Sequence, residues 1–299
     1  MNKIAKPYEK WAGGKGNVIR QLDDLLPEGF SRQHGITYIE PFVGGGAMLF
    51  HVLHKYKCVK RVIINDINSD LIHCYRMVAN TPNLLIERLS DIERNFFSVS
   101  IAARKELYYA YREMYNLDGV HPDERAALLI FLNHTCYNGL YRVNANGKFN
   151  VPYGNYKNPK ICDKDIIMAD HKLLSSVELV IRHPGDYKGI YRNLSRKYIN
   201  IIYFDPPYRP LSDTSYFTEY SNNPFGDAQQ IELKKFCDKL SKASCQIMLS
   251  NSDSYMANGE SFFENLYSGY SIVRVYAPRF INAKPLKRTK LSEVVIRNY

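Results

Sequence analysis

Asp205, Pro206, Pro207 and Tyr208 stand in a row directly after an apolar segment, Tyr198–Phe204. The apolar segment predicts a buried β-strand, and two prolines after its end predict a stiff turn. Such a turn would hold one carboxylate and one aromatic ring at the carboxyl edge of a sheet, where open α/β folds bind their ligands. A plain loop is the alternative, because Asp and Pro both favour turns. A buried strand that ends in these four residues favours a site.

The four residue types suit transfer of a group to an aromatic amine such as the N6 amine of adenine. That amine is a poor nucleophile, because its lone pair is delocalised into the ring. The Asp205 carboxylate can accept a hydrogen bond from one N6–H and the carbonyl of Pro206 from the other, which favours the charge that develops on nitrogen. Tyr208 can stack on the base. A base inside a duplex cannot reach such a pocket, so it must be flipped out.

A glycine-rich turn, Pro41-Phe42-Val43-Gly44-Gly45-Gly46, lies between a predicted strand, Ile36–Glu40, and a predicted helix, Ala47–His54. Glycines let the backbone turn tightly and approach a ligand closely. Asp66 ends the next apolar run, 20 residues after the last glycine, where its carboxylate can accept hydrogen bonds from ribose hydroxyls. The turn and Asp66 together predict a nucleoside cofactor, with an ordinary tight turn as the alternative. A dehydrogenase fingerprint is not matched, because Leu49 holds the place of its third glycine.

The predicted strands lie towards both ends of the chain, with a helical block between them. They are Ile36–Glu40, Val62–Asn65, Tyr198–Phe204, Gln246–Leu249, Ser271–Val275 and Glu293–Ile296. Residues from about 71 to 132 follow a helical pattern. Asn146-Gly147 between apolar residues predicts a β-hairpin over Arg142–Val151. Alternating strands and helices predict an α/β domain with a parallel sheet, interrupted by an inserted domain.

The chain carries a net charge of +10 and has a pI of about 9.1, which suggests a polyanionic partner. A generic basic protein is the alternative that charge alone would leave open. The distribution favours nucleic acid, because basic residues mixed with aromatic ones suit phosphate neutralisation and base stacking. The basic and aromatic clusters are Lys284, Lys287, Arg288 and Lys290, and Lys148, Lys157 and Lys160 among Phe149, Tyr153 and Tyr156.

Other classes of protein lack support in the sequence. No apolar run has the length of about 18 residues that a membrane span needs, and Met1–Tyr8 lacks the apolar stretch of a signal peptide. The six cysteines form no C-x-x-C pair, and the eight histidines do not join them at zinc spacing. Scattered cysteines fit a reducing compartment. We therefore expect a soluble, cytoplasmic protein without a membrane or metal partner.

Taken in order, the motifs resemble those of the Dam-type DNA adenine-N6 methyltransferases, the alpha group of the D12 class, over nearly the whole chain. The segments that resemble the family's cofactor motifs are Lys10-Trp11-Ala12-Gly13-Gly14-Lys15, Glu40-Pro41-Phe42-Val43-Gly44-Gly45-Gly46 and Asn65-Asp66-Ile67-Asn68-Ser69-Asp70. Those that resemble its DNA-contacting segment are Tyr137-Asn138-Gly139-Leu140-Tyr141-Arg142 and Phe149-Asn150-Val151-Pro152-Tyr153-Gly154. Asp205-Pro206-Pro207-Tyr208 resembles its catalytic motif, and Leu249-Ser250-Asn251-Ser252 follows at the expected place.

The resemblance implies a Rossmann-like class I methyltransferase sheet with an inserted, mostly helical DNA-recognition domain that contains a β-hairpin. The implied catalytic domain comprises residues 1–74 and 165–299, and the implied recognition domain residues 75–164. S-adenosylmethionine is the implied cofactor and double-stranded DNA the implied partner. The residues implied to hold the cofactor are Trp11, Lys15, Glu40, Phe42, Gly44, Gly46, Asp66, Ile67 and Asp205. Those implied to touch DNA are Lys10, Tyr137, Asn138, Leu140, Arg142, Pro152, Lys287 and Arg288.

The resemblance also defines the target and its alternatives. It implies a short palindrome with GATC as the leading candidate, although Asn155 and the segment Arg279–Lys290 depart from the family pattern near DNA. An RNA adenine or protein glutamine methyltransferase is one alternative, but such relatives usually carry Asn where this chain has Asp205. A DNA-binding relative that has lost catalysis is another, which the intact Asp205 and Tyr208 disfavour. Three biological settings stay open: protection of DNA from a partner restriction endonuclease that acts on the same site, a solitary host enzyme, or a phage enzyme.

Overall fold

The computed structural model describes residues 6–8, 15–211, 225–277 and 291–299 of the chain. Predictions made for Lys10, Trp11, Lys287, Arg288 and the segment Arg279–Lys290 lie outside these described residues. The described residues form two compact units. We call residues 6–8, 43–56 and 65–185 the helical unit, and residues 15–42, 57–64, 186–211, 225–277 and 291–299 the sheet unit.

Strands and helices alternate along the first part of the chain, and α-helices dominate its middle. The described strands are β1 (Ile36–Glu40), β2 (Val59–Ile64), β3 (Glu178–Ile181), β4 (Ile199–Phe204), β5 (Gln246–Ser252), β6 (Ser271–Ala277) and β7 (Leu291–Arg297). The described α-helices are α1 (Ile19–Asp24), α2 (Ala47–Lys55), α3 (Ser69–Asn80), α4 (Pro82–Ser98), α5 (Arg104–Tyr115), α6 (Pro122–Thr135), α7 (Lys164–Leu174), α8 (Asp227–Lys242) and α9 (Phe262–Leu266). Short 3-10 helices lie at Lys15–Asn17, Phe30–Arg32, Tyr137–Gly139 and Tyr187–Asn193.

Six strands of the sheet unit form one sheet in the order β2-β1-β4-β5-β7-β6. β1 is parallel to both β2 and β4, and β4 is parallel to β5, which confirms the predicted parallel sheet. β7 is antiparallel to β5 and β6. β1 is buried along its length and β4 is buried beyond its first residue, because their continuous apolar runs suit central strands. Glu40 at the end of β1 and Asp205 after β4 therefore reach the same edge of the sheet.

The strands agree with the predictions from sequence apart from their ends and one omission. β1 has the predicted bounds, whereas β2 begins at Val59 rather than Val62 and β5 continues to Ser252. β3 was not predicted, because four residues, Glu178–Ile181, are too short to establish a strand pattern. Backbone pairing with neighbours extends a strand past its apolar residues, and a sequence pattern does not contain that information.

The helical unit is organised around α6, whose side chains from Ala126 to Asn133 are all buried. A helix that is apolar on every side belongs in the interior. α3, α4 and α5 pack against α6, so the predicted helical block from about residue 71 to 132 is confirmed as four helices. The Asn68 side chain caps the amino end of α3 by accepting hydrogen bonds from the backbone N–H groups of Asp70 and Leu71.

The predicted hairpin is also present in the helical unit. Its two arms pair at Val143 with Phe149 and at Cys136 with Tyr153. The chain reverses at residues 144–147, where the N–H of Gly147 bonds to the carbonyl of Asn144 at 2.9 Å. Gly147 has φ of 72°, a left-handed conformation that glycine adopts without steric cost.

Two searches of the described residues bear on membranes and metals. No described helix combines the length and the apolar composition needed to cross a bilayer. Within the same residues, no group of three or more His, Cys, Asp and Glu side chains is arranged to hold a metal ion. The domain bounds 1–74, 75–164 and 165–299 stay a prediction.

Candidate active site

Asp205 lies immediately after β4, and its carboxylate forms an ion pair in the sheet unit. The Nζ atom of Lys15 lies 3.0 Å from Asp205 Oδ1. Lys15 is only 5% exposed, although lysine almost never lies buried without a partner. The ion pair thus explains why the chain tolerates a buried ammonium group at this position.

Tyr208 and Glu293 complete the cluster around Lys15. The Lys15 ammonium lies 4.3 Å from the centroid of the Tyr208 ring and 3.7 Å from Glu293 Oε2. The Tyr208 hydroxyl donates a hydrogen bond of 2.7 Å to the same Glu293 oxygen. Glu293 was not among the residues singled out from sequence, where the only signal was an acidic residue near the start of an apolar run.

Burial controls the electrostatics of this edge of the sheet. Burial raises the pKa of Asp205, and the Lys15 ammonium opposes that rise. Glu40 is 3% exposed and accepts a hydrogen bond of 2.8 Å from the Tyr38 hydroxyl. Burial raises the pKa of Glu40 well above its usual value, the Tyr38 hydrogen bond opposes the rise and the charge of Asp205 adds to it. Lys15 is therefore the cation that favours an ionised Asp205.

The turn after Asp205 is held in shape by polar side chains beneath it. The Gln230 side chain donates a hydrogen bond of 3.0 Å to the carbonyl of Pro207. Asn251 donates to Gln230 and accepts from the backbone N–H of Arg209, at 3.3 and 3.0 Å. Both side chains are fully buried, so the bonds are shielded from competing water. The segment Leu249–Ser252, identified from sequence, thus supports the Asp205–Tyr208 turn from the end of β5.

Phe42 belongs to an aromatic cluster of the sheet unit. Its ring centroid lies 5.1 Å from that of Tyr187, 5.7 Å from that of Phe225 and 6.4 Å from that of Phe204. Aromatic pairs at these separations contribute beyond the area they bury. Phe42 itself stays partly exposed, so it can still offer a ring edge or face to a flat ligand.

The glycine turn and Asp66 meet in the helical unit. The N–H of Gly44 donates to Asp66 Oδ2 and the N–H of Asn68 donates to Asp66 Oδ1, both at 3.0 Å. Gly46 has φ of 72°, and a Cβ atom there would lie 2.4 Å from the Tyr75 hydroxyl. Glycine is therefore required at position 46 by conformation and by space. Burial raises the pKa of Asp66, and these backbone hydrogen bonds oppose the rise.

Ile67 follows Asp66 and is 78% exposed, the largest value among the exposed apolar side chains of the described residues. An exposed isoleucine beside a fixed carboxylate offers an apolar face next to hydrogen-bond acceptors. That pair of features fits a nucleoside, whose base is flat and apolar on its faces and whose ribose carries hydroxyl donors. The residues present therefore fit the predicted class of cofactor.

The residues predicted to contact DNA within the described part of the chain are all exposed side chains of the helical unit. Tyr137 is 54% exposed and Leu140 is 37% exposed. The N–H of Tyr137 donates to the carbonyl of Pro152 at 2.8 Å, which joins the two arms of the hairpin. Asn138 has φ of 55°, and its N–H donates to the Tyr156 hydroxyl at 3.1 Å. The turn thus presents large apolar side chains to solvent on a fixed backbone.

Arg142 is exposed but already oriented by the opposite arm of the hairpin. Its Nε donates to Asn150 Oδ1 at 2.7 Å and its Nη2 donates to the Asn150 carbonyl at 3.3 Å. The guanidinium has five N–H donors, so these two bonds leave three for a ligand. Nη1 and the second N–H of Nη2 lie side by side and could bind two acceptors at once.

The predicted site residues thus fall into three groups. The sheet unit brings together Lys15, Glu40, Asp205 and Tyr208, with the addition of Glu293. In the helical unit, the glycine turn with Gly44 and Gly46 is hydrogen-bonded to Asp66, which Ile67 follows. The same unit exposes Tyr137, Asn138, Leu140, Arg142 and Pro152 in and beside the hairpin. The roles assigned to these residues stay predictions.

Comparison with known proteins gives a family model and several similar sequences. The model of the D12 class of N6 adenine-specific DNA methyltransferases matches residues 11–281. The chain is 46% identical over 297 residues to the type II methyltransferase M.MjaIII of Methanocaldococcus jannaschii, covering 98% of this chain and 99% of that protein. It is 36% identical over 302 residues to the type II methyltransferase M1.LlaDCHI of Lactococcus lactis subsp. cremoris, covering 100% and 97%. It is 32% identical over 291 residues to the DNA adenine methylase of Haemophilus influenzae, covering 97% and 92%.

Proposed function

Because the chain belongs to the D12 class of N6 adenine-specific DNA methyltransferases, we propose that it moves a methyl group from S-adenosylmethionine to a flipped-out adenine in a short palindromic site. Family membership identifies DNA adenine as the acceptor, in place of RNA adenine or protein glutamine. The observation that carries the proposal is the Asp205 carboxylate, fixed next to Tyr208 by an ion pair of 3.0 Å with Lys15. A relative without catalysis would have no need to keep this arrangement.

S-adenosylmethionine supplies an electrophilic methyl group when it is bound. The carboxylate of Asp66 supports this choice of donor, because its two oxygens accept backbone N–H groups and still have a lone pair for a ribose hydroxyl. The exposed face of Ile67 suits the adenine ring of the donor. The other residues proposed to hold the donor are Trp11, Lys15, Glu40, Phe42, Gly44, Gly46 and Asp205.

The target amine is activated by acceptors on the turn after β4. Asp205 accepts a hydrogen bond from one N6–H and the Pro206 carbonyl from the other, which favours the positive charge that develops on nitrogen. Pro207 fixes the turn, since its carbonyl is bonded to the buried Gln230. Lys15 covers one face of the Tyr208 ring, so the flipped base stacks on the opposite face. Flipping is required because these acceptors cannot reach an amine inside a duplex.

The target is proposed to be GATC, read by the hairpin surface in a recognition domain at residues 75–164. Arg142 has two neighbouring N–H groups left after bonding Asn150, which suits the O6 and N7 acceptors of guanine. Pro152 packs on a thymine methyl group, and the exposed Tyr137 ring wedges into the space that the flipped adenine leaves. Asn138, Leu140, Lys10, Lys287 and Arg288 are proposed as further DNA contacts.

One pair of measurements tests this function. The purified protein is incubated with labelled S-adenosylmethionine and with duplex DNA, RNA or protein as the acceptor. Label should appear in DNA only, on adenine N6. Sequencing of methylated sites in DNA from cells that express the protein then identifies the target. Absence of transfer to DNA rejects the activity, whereas a motif other than GATC rejects only the proposed site.

The names of two relatives support one of the possible biological settings. Two of them are named type II methyltransferases. This chain is proposed to protect its site from a partner restriction endonuclease. The test is whether a neighbouring gene encodes a nuclease that cuts the unmethylated site and spares the methylated one.

A further inference from the structure

A groove in the helical unit lies between the amino-terminal half of α5 and the chain segment that follows the hairpin, residues 151–157. We call it the α5 groove. It has a volume of about 480 Å³ and is lined by Ile101, Ala102, Lys105, Tyr109, Pro152, Tyr153 and Asn155. Of these residues, the proposed function uses only Pro152, so the rest of the groove has no assigned role.

Two hydrogen bonds from α5 fix the walls of the groove to each other. The Tyr108 hydroxyl donates to the carbonyl of Val151 at 2.8 Å, and Nη1 of Arg104 donates to the carbonyl of Lys157 at 2.8 Å. Tyr108 is fully buried and Arg104 is 8% exposed, so competing water is largely excluded from both bonds. The two acceptors are the ends of the segment 151–157, so its position against α5 is set before any ligand binds.

The same segment is hydrogen-bonded to the turn that carries Tyr137 and Asn138. The N–H of Tyr137 donates to the carbonyl of Pro152 at 2.8 Å, and the N–H of Gly154 donates to the carbonyl of Thr135 at 2.9 Å. Pro152 also lines the α5 groove and is exposed. DNA that reaches Pro152 from the hairpin side therefore reaches the edge of the groove as well.

Lys105 is the charged side chain of the groove lining. It is exposed, and it forms no ion pair within the part of the chain that the structure describes. Tyr109 lies one helical turn further along the same face of α5, since residues four apart are neighbours on a helix. Apolar and aromatic surface beside one ammonium group suits a deoxyribose, whose C–H faces are apolar, joined to an anionic phosphate.

Asn155 lies on the wall opposite α5 and is exposed. It has φ of 53°, a left-handed conformation that asparagine tolerates better than most residues. Its side-chain amide can donate a hydrogen bond to a phosphate oxygen, but it carries no charge. Neutralisation of a phosphate in the groove therefore depends on Lys105.

We propose that the α5 groove binds the sugar–phosphate backbone of DNA next to the bases that the hairpin contacts, with Lys105 neutralising one phosphate. The inference rests on the proposed function, since it assumes that DNA lies on the hairpin. A phosphate contact positions the duplex and carries no sequence information. Lys105 should therefore contribute equally to binding of DNA with and without the target site.

The test measures DNA binding by Lys105→Gln at several salt concentrations. Two short duplexes are compared by fluorescence anisotropy, one with the methylated motif and one without it. We expect the slope of log affinity against log salt to fall in magnitude by about one, because one fewer counterion is released. Affinity at low salt should fall by the same factor for both duplexes. An unchanged slope, or a loss confined to the duplex with the motif, overturns the inference.

Two double variants separate a charge in the groove from the net charge of the protein. Lys105→Gln with Ala102→Lys returns an ammonium group to the groove lining. Lys105→Gln with Ala110→Lys is the matched control, because Ala110 is an exposed residue of α5 outside that lining. The first should regain most of the wild-type slope and the second should not.

Equal recovery in the two double variants would mean that Lys105 acts only through net charge, and it would overturn the inference. Methyl transfer and DNA binding by wild type leave the proposed function standing when the inference fails in this way. Absence of DNA binding by wild type rejects both.

Discussion

At the scale of single residues, the catalytic proposal depends on the protonation state of Asp205. A carboxylate that accepts a hydrogen bond from the target amine must be ionised. Burial at the edge of the sheet works against ionisation, whereas the Lys15 ammonium at 3.0 Å works for it. Glu293 then shares the same ammonium and fixes the Tyr208 hydroxyl. Two residues far from Asp205 in the sequence, Lys15 and Glu293, thus affect the pKa of its carboxyl group: Lys15 lowers it and Glu293 raises it.

Asp205→Ala should abolish methyl transfer while the protein stays folded. Loss of one preorganised polar contact to a transition state typically costs about 100- to 1,000-fold in rate. Initial rates of labelled transfer at saturating cofactor and DNA measure this effect. Asp24→Ala, at an exposed aspartate of the same unit, is the matched control and should keep wild-type activity. Activity of Asp205→Ala within tenfold of wild type would show that Asp205 is not catalytic.

Lys15→Met should move the acid limb of the pH–rate profile to higher pH. Burial raises the pKa of Asp205 and Lys15 opposes the rise, so removal of the ammonium lets the pKa climb further. Activity requires the ionised carboxylate and is lost as the pH falls through its pKa. The rate of Lys15→Met should therefore begin to fall at a pH about one to three units higher than the rate of wild type does. The rate at saturating cofactor separates this effect from cofactor binding. Lys188→Met, at a surface ion pair with Glu232, should leave the limb in place. An unmoved limb in Lys15→Met contradicts the electrostatic role.

Asp66→Ala should weaken S-adenosylmethionine binding and leave DNA affinity nearly unchanged. Hydrogen bonds to a charged group contribute about 1.5–3 kcal/mol, which corresponds to roughly a 10- to 100-fold change in the dissociation constant. Calorimetry with each ligand separately provides the comparison. Asp91→Ala, an exposed aspartate of the same unit, is the control. An unchanged cofactor affinity would mean that Asp66 only ties the glycine turn together.

At the scale of elements, many of the proposed site residues lie on two turns, each of which follows a parallel strand. The turn after β4 is rigid because Gln230 and Asn251 bond its backbone from below. The glycine turn before α2 is rigid because Asp66 accepts the N–H of Gly44 and the Tyr75 hydroxyl donates to the Gly44 carbonyl at 2.9 Å. Functional side chains on such turns keep their positions without a ligand, which lowers the cost of binding.

Gly46→Ala should destabilise the fold by about 1–3 kcal/mol, because a left-handed residue gains a side chain that collides with its neighbour. The added Cβ would lie 2.4 Å from the Tyr75 hydroxyl. Gly119→Ala is the matched control, since Gly119 has φ of 78° but no atom within 4 Å of the added Cβ. Urea unfolding of both variants separates backbone strain from the collision. Equal losses in the two variants would show that the Tyr75 contact costs nothing.

At the scale of the whole molecule, charge is the dominant feature. A net charge of +10 attracts DNA over a distance and supplies affinity that does not depend on sequence. Under the proposed function, sequence discrimination comes from a few oriented groups such as Arg142. Charge and discrimination are therefore separable by experiment, because only the former responds steeply to salt.

DNA affinity should fall steeply with salt, since each neutralised phosphate releases a counterion. Substitution of Lys287, Arg288 and Lys290 by glutamine together should reduce the slope of log affinity against log salt by up to about three. Binding of one short duplex at several salt concentrations gives the slope. The same substitution of three exposed lysines, Lys172, Lys235 and Lys242, is the control. If both triple variants keep the wild-type slope, the C-terminal basic cluster does not contact phosphates.

The amino-acid sequence by itself determined the family, the parallel strands and the positions of the chemical motifs. Apolar runs mark β1 and β4 because buried strands must be apolar along their length, and the motifs follow directly from those strands. Glycine at position 46 and the prolines at 206 and 207 are also readable, because few residues adopt the backbone conformations that such turns require. Each of these constraints acts on residues that are neighbours in the chain, so the amino-acid sequence shows it directly.

Only the tertiary structure decided which distant side chains meet. The partners of Lys15, the role of Glu293 and the bonds from Asn251 to the Asp205 turn depend on strand order, which places β7 and β5 beside β4. The bond of 2.6 Å from the Tyr115 hydroxyl to Asp70 likewise depends on how α5 packs. No sequence pattern reveals these contacts, because a hydrogen bond or an ion pair depends on separation in space rather than on separation along the chain.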